Sequence, residues 1–228
     1  MGVIMDFWNQ PRNTLFLGLI FSLFVSPLTV CASEGWSKYD DYDGITMYRK
    51  EVPGNPILAY RGEGVLQAPI EKLLPVLLDT ARKPQWMSRV RSAEVLREVS
   101  PFEKVEFVHV KTPWILKDRE FIYKVKVSLD QLTRFATIHY ESVQDPIRPE
   151  SGDRVRAHIF SGDFNLKPTL DGKGTHVEAE VHADPRGSIP KWIVNIYQKR
   201  LPRESLEGLL TQVSKPEIVG HPLFLLRK

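Results

Sequence analysis

The stretch Thr175-His176-Val177-Glu178-Ala179-Glu180-Val181-His182 alternates apolar and polar residues almost without fault. Successive side chains of a strand point to opposite faces, so Val177, Ala179 and Val181 share one side and His176, Glu178, Glu180 and His182 the other. A strand that is apolar on one side belongs to an antiparallel sheet with one solvated face, because parallel sheets are covered on both. The same demand extends over much of the chain. Val105–Val110, Phe121–Val127, Arg134–Tyr140 and Arg154–Phe160 are rich in β-branched and aromatic residues. Thr112-Pro113, Asp145-Pro146, Ser151-Gly152-Asp153, Pro168 and Asp171-Gly172 interrupt them, a spacing that favours a strand meander over βαβ units. Ile45–Arg49 and Leu58–Val65 supply earlier strands around the turn Pro53-Gly54-Asn55-Pro56.

Two segments change period. In Ala68–Asp79, Pro69 suits a first helical turn, Ile70, Leu73, Leu74, Leu77 and Leu78 recur at helical spacing, and Pro75 should bend the helix. A second helix opens at Gly187-Ser188-Ile189-Pro190 with Ser188 as N-cap. Trp192, Ile193, Ile196, Tyr197 and Leu201 form its apolar side; Pro202 kinks it, and Leu206, Leu209, Leu210 and Val213 continue it. This order specifies an α+β fold, a curved antiparallel β-sheet wrapped around a long C-terminal helix, since each buries its apolar face on the other. Curvature leaves space beneath the helix, enclosing an apolar cavity.

The first thirty-odd of the 228 residues have a different character. Arg12 precedes the uncharged, mostly apolar run Leu15–Val25, and Pro27 and Val30-Cys31-Ala32 follow. A short apolar region, a breaker and small residues describe a signal peptide over 1–32. The run is shorter than the roughly 20 residues of a membrane span, so an N-terminal anchor is the lesser reading. The expected location is exported, periplasmic or secreted. Residues 33–214 then make one domain and 215–228 a tail, ending in Pro222-Leu223-Phe224-Leu225-Leu226-Arg227-Lys228. Cys31 is the only cysteine, so cleavage after Ala32 leaves a mature chain without a thiol; lipidation at Cys31 is a minor alternative.

A net charge of +3 with no Lys/Arg run or basic helix face argues against nucleic-acid binding. There is no Gly-x-Ser-x-Gly elbow and no HExxH. His176 and His182 with Glu178 and Glu180 read as the polar face of a strand rather than a metal site. No cofactor or metal is expected, and the chain is read as a non-enzymatic monomer.

Four segments in order resemble the START (StAR-related lipid transfer) family: Trp36 followed by Asp43-Gly44-Ile45-Thr46-Met47-Tyr48; Leu78-Asp79-Thr80-Ala81-Arg82-Lys83-Pro84-Gln85-Trp86; Pro113-Trp114 to Asp118-Arg119-Glu120-Phe121; and Asp184-Pro185-Arg186-Gly187-Ser188-Ile189-Pro190-Lys191-Trp192. Glu120 replaces an Asp of the family pattern, and Arg186 a glycine. Together they cover roughly Trp36 to Val213. The resemblance implies a helix-grip fold holding a lipid ligand, a sterol, phospholipid or similar, with transient membrane contact. A helix-grip cyclase or hydrolase, or a lipid sensor, are the alternatives.

The resemblance also suggests where a ligand would lie. Glu106 corresponds to an acidic cavity residue of sterol-holding members, while the matching basic position is Val125, so that partner is missing there. Arg119, Phe121, Tyr123 and Val125 share a strand face, and Arg119 offers a substitute partner. Val108, next to Glu106 on its strand, and Trp192, Asn195 and Ile196 of the last helix complete the expected ligand-binding set. Ligand passage would move the last helix near Pro202.

Overall fold

The computed structural model describes residues 35–113 and 116–220. The segment 1–32 with Cys31, Trp114, and the run Pro222–Lys228 lie outside the described residues. Three strands come first, β1 (Trp36–Tyr42), β2 (Ile45–Val52) and β3 (Asn55–Leu66). Helix α1 (Ile70–Leu78) and a single 3-10 turn, Lys83–Gln85, follow. Then come β4 (Val90–Ser100), β5 (Glu103–Val110), β6 (Arg119–Leu129), β7 (Ala136–Ser142), the two-residue β8 (Val155–Arg156), β9 (His158–Pro168) and β10 (Thr175–Asp184). Two helices close the fold, α2 (Lys191–Gln198) and α3 (Leu201–Val213).

The strands form one sheet in the order β1-β2-β3-β10-β9-β7-β6-β5-β4. Every pairing on this path is antiparallel; β8 alone pairs in parallel, with the start of β6. The meander read from the sequence thus runs from β4 to β10, and the first hairpins join its last strand through β3. Leu73, Leu74 and Leu77 of α1, Leu206 and Leu209 of α3, and Val125, Ile138, Leu166 and Val177 of the sheet form one core. Full burial of each such side chain is worth about 1.5–3 kcal/mol.

Several local expectations need correction. The alternation of β10 fails at its end, because the register with β9 shifts between His182 and Ala183. The shift buries both residues, and the His182 ring stacks on Phe160 at 4.5 Å instead of facing water. Glu180 pairs with Arg61 at 3.1 Å and His176 is exposed, so the four polar residues do not converge. Among the described residues no three His, Cys, Asp or Glu side chains are grouped as metal ligands. Pro202 does not kink one helix but sits in the first turn of α3, after a break at Lys199-Arg200. A missing N–H costs nothing in a first turn. Ser188 is not a cap; α2 starts at Lys191 behind Pro190, with no side-chain cap.

α3 lies very close to its neighbours. A Cβ on Gly62 would stand 2.9 Å from the Pro202 Cβ, and one on Gly208 only 2.1 Å from the Trp86 carbonyl oxygen. Gln212, fully buried, donates to Gln85 at 2.9 Å, tying α3 to the same turn. Gly208→Ala sets two effects against each other. Alanine gains about 1 kcal/mol of helix propensity, but its methyl meets a backbone atom that cannot rotate away, and overpacking costs about 1–3 kcal/mol or more. The clash should win. Thermal unfolding followed by circular dichroism is expected to show a lower Tm for Gly208→Ala; an unchanged or higher Tm would mean the close approach is not enforced.

Candidate functional site

A cavity of about 300 Å³ lies between the concave face of the sheet and α2, at the lower end of the roughly 300–1,000 Å³ of small-molecule sites. The sheet contributes Val108, Val110, Phe121, Tyr123, Tyr140, Phe164 and Ala179; α2 contributes Ile193, Val194, Tyr197 and Gln198. Leu201 and Ser205 come from α3, and Lys83 and Trp86 from the turn after α1. The rim carries the exposed residues Arg89, Lys111 and Tyr197, with the Arg89 guanidinium 5.1 Å from the Tyr197 ring centre.

Of the residues expected from the sequence, Val108, Arg119, Phe121 and Tyr123 are on the cavity wall. Val125 shares their strand face but packs in the core, away from the wall. The assignments on the last helix are off by one helical position. Trp192 and Ile196 are 65% and 44% exposed, and the inward residues are Ile193, Val194, Tyr197 and Gln198. Asn195 is structural: its side chain accepts from the Leu58 N–H at 3.1 Å and donates to the Pro56 carbonyl, and its own carbonyl accepts from the Tyr60 hydroxyl at 3.0 Å.

Arg119 does not pair with a carboxylate in the cavity. Its buried guanidinium donates to the carbonyls of Lys117 (2.6 Å), Pro185 (3.1 Å) and Arg186 (3.0 Å), clamping the loop that leads into α2. That loop turns through positive φ at Arg186 (52°) and Gly187 (74°). The first of these explains why the family pattern has glycine there, since a side chain makes this region costly.

The missing basic partner is Lys83. Glu106 is fully buried and off the cavity wall, and accepts from Thr80, Lys83 and, at 2.8 Å, Lys104. Lys83, with a side chain only 2% exposed, also donates to the Tyr123 hydroxyl at 3.0 Å. Lys104 further donates to Thr80 at 2.7 Å and to the Leu78 carbonyl at the end of α1 at 2.6 Å. Burial favours the neutral form of each charge. It pulls the Lys83 ammonium below its ordinary value against the opposing pull of Glu106. For Glu106 burial pushes upward, but the Lys83 and Lys104 ammoniums outweigh it and hold the carboxyl below the usual range. Burial raises the Tyr123 and Tyr140 phenols well above theirs, keeping both protonated. Among the described residues, two buried polar atoms of cavity-lining side chains, Trp86 Nε1 and Gln198 Oε1, have no hydrogen-bond partner. Lys83 carried little sequence signal: it lies in a short turn before a proline, and only the folding of β5 against that turn shows that its charge is buried.

The match to the START domain model runs over residues 29–202. The chain belongs to the START domain family. A solved structure of a StAR-related lipid transfer protein from Xanthomonas axonopodis is 29% identical, covers 79% of this chain and 99% of that one, and superposes with a TM-score of 0.71. An uncharacterized protein of Pseudomonas aeruginosa is 23% identical across 90% of this chain and 97% of its own. The bovine phosphatidylcholine transfer protein is 27% identical across 70% of this START chain and 75% of its own. The curved sheet closed by C-terminal helices is the helix-grip architecture of these structures.

Removing one member of a buried ion pair leaves the other charge uncompensated, at about 3–5 kcal/mol. Glu106→Gln, which leaves Lys83 and Lys104 without their carboxylate, should cost about that much; Lys83→Met, which leaves Glu106 paired with Lys104, should cost less, and the double variant about 0.5–3 kcal/mol less than the sum of the two, as read from urea denaturation. Strict additivity would show that the two groups are not coupled. The sign with pH follows from the lowered Glu106 carboxyl: its stabilisation is present above the ordinary carboxylate range and is lost as pH falls through the lowered value. Glu106→Gln should therefore flatten the acid limb of the stability curve.

Proposed function

We propose that the chain encloses one lipid in this cavity and carries it between membranes without chemical change. The observation that carries the reading is the cavity itself, whose sides are mainly aliphatic and aromatic, with Lys83 buried at its wall and Arg89 and Lys111 at its rim. An apolar ligand would be held mainly by removal of its surface from water, at about 25 cal/mol per Å² before the costs of ordering are deducted. The family match and the names of the relatives support lipid as the ligand class.

The route in and out runs under α2. α3 is pinned by its close approaches at Gly62 and Gly208 and buries Leu206, Leu209 and Val213. α2 buries only Val194 and Gln198. It is held largely by polar contacts, those of Asn195 and the hydrogen bond from the Tyr39 hydroxyl to the Lys199 carbonyl. Its outer side exposes Trp192 and Ile196 beside Lys199 and Arg200, the mixture of apolar and cationic groups that suits an anionic membrane surface. The moving part expected near Pro202 is assigned in this reading one helix earlier, because α2 buries fewer residues than α3. Segment 1–32 is a signal peptide in this reading, 33–214 the lipid-binding domain and 215–228 a tail, and the mature protein works outside the cytoplasm as a monomer.

Native mass spectrometry of protein purified from cells is expected to show a chain beginning at Ser33 with one lipid mass attached. Val110→Trp, which places an indole on the cavity wall, should keep the fold and lower lipid occupancy at least about tenfold. Wild-type protein that never carries or takes up lipid would overturn the reading. In a Cys31→Ser background, Arg89→Cys and Tyr197→Cys joined by a short bismaleimide should slow lipid exchange between vesicles. Exchange at the unlinked rate would remove α2 as the gate.

A further inference from the structure

The groups around Lys83 bear on which lipid head the cavity admits, an inference that rests on the lipid-carrying reading. The Lys83 Nζ stands 5.1 Å from the Tyr123 ring centre and 5.4 Å from that of Tyr140, and both rings are on the cavity wall. The rings meet edge to face at 5.6 Å, and Tyr140 meets Phe164 in the same way at 6.2 Å. Aromatic surroundings of this kind attract a quaternary ammonium. Here the position is already taken by the chain's own ammonium, which Glu106 and the Tyr123 hydroxyl hold in place.

The local balance of charge and hydrogen bonds points the same way. Two ammoniums, Lys83 and Lys104, face the single carboxylate of Glu106. That carboxylate is off the cavity wall and already accepts from Thr80 and both lysines. Donors are in surplus: Lys83 carries three N–H groups against two acceptors. The indole N–H of Trp86, from the same turn, is buried without a partner among the described residues. A buried donor without an acceptor is unfavourable, so a ligand that brings an acceptor gains by relieving it.

We infer that the cavity takes a lipid whose enclosed polar end is an oxygen acceptor without positive charge, a hydroxyl, carbonyl or carboxylate, and that Lys83 excludes a quaternary ammonium head. Lys83 is then a specificity-determining residue. A cationic head would meet an ammonium held in place by Glu106 and the Tyr123 hydroxyl, whereas an oxygen acceptor meets a spare Lys83 N–H.

The test uses three single-chain compounds of equal length, decanol, decanoate and decyltrimethylammonium. Each competes below its micelle concentration with the neutral fluorescent probe N-phenyl-1-naphthylamine in the cavity of the wild-type protein. Decanol and decanoate should displace the probe at concentrations at least about tenfold lower than decyltrimethylammonium. The double variant Lys83→Met/Glu106→Gln, checked for folding by circular dichroism, should bring the three within about threefold of one another. Lys83→Arg, which keeps the cation, should preserve the discrimination. Equal displacement by all three on wild-type protein, a comparison that needs no variant to fold, would overturn the inference and leave the lipid-carrying reading intact. So would a preference that persists unchanged in the folded double variant. Failure of every decyl compound to compete for a bound probe would overturn the lipid-carrying reading together with the inference.

Discussion

A carboxylate and an ammonium with almost no access to water meet where three parts of the fold converge. Glu106 comes from β5, Lys83 from the turn after α1, and Tyr123, their neighbour, from β6. Taking two charges out of water is expensive, and their attraction repays it only when every remaining lone pair and proton is placed. Thr80 and Lys104 do that placing for Glu106, and Lys104 also satisfies a carbonyl at the end of α1. The cluster is thus a poor source of net stability and a strong source of position. Any arrangement that separates the α1 turn from β5 strands a charge, so few compact alternatives compete with the native one. The rest of the cavity is assembled from apolar side chains that are far more tolerant of substitution.

The sheet was legible because strand alternation is a local property. Val177, Ala179 and the residues facing them on neighbouring strands follow from period two without reference to partners. The reading failed where tertiary structure intervened. The register shift at His182 and Ala183 is invisible in the alternation that leads up to it, and it moved a histidine from the expected solvent face onto Phe160. On the last helix the choice of Trp192 and Ile196 followed the most hydrophobic stripe. The inward stripe lies one position later, and Asn195 is engaged with the Leu58 backbone instead of the cavity. Hydrophobicity alone cannot tell a core stripe from one left for another surface.

The charged residues were harder still. Arg119 was expected to pair with a carboxylate near the pocket, yet its partners are three backbone carbonyls of loops, which have no sequence signature. Lys83 was passed over because the pattern of a strand-borne acid and base led to Val125, the corresponding position on β6. The cation reaches the same acid from outside the sheet. The chemical requirement, a buried carboxylate with a partner, was foreseeable from Glu106; the element supplying it was not.

The contact of Gly208 with the Trp86 carbonyl joins two things that need not have been joined. The turn that holds Lys83 and Trp86 in the cavity also bears directly on α3 through backbone atoms. Displacing that helix would carry the turn with it and disturb the pairing of Lys83 with Glu106. A chain of this design can replace the aliphatic lining almost freely and so change the shape of what it encloses. It can change the chemistry of the anchoring end only by also rebuilding the seat of its last helix. Shape and head-group preference are therefore free to diverge at different rates among sequences that keep this packing.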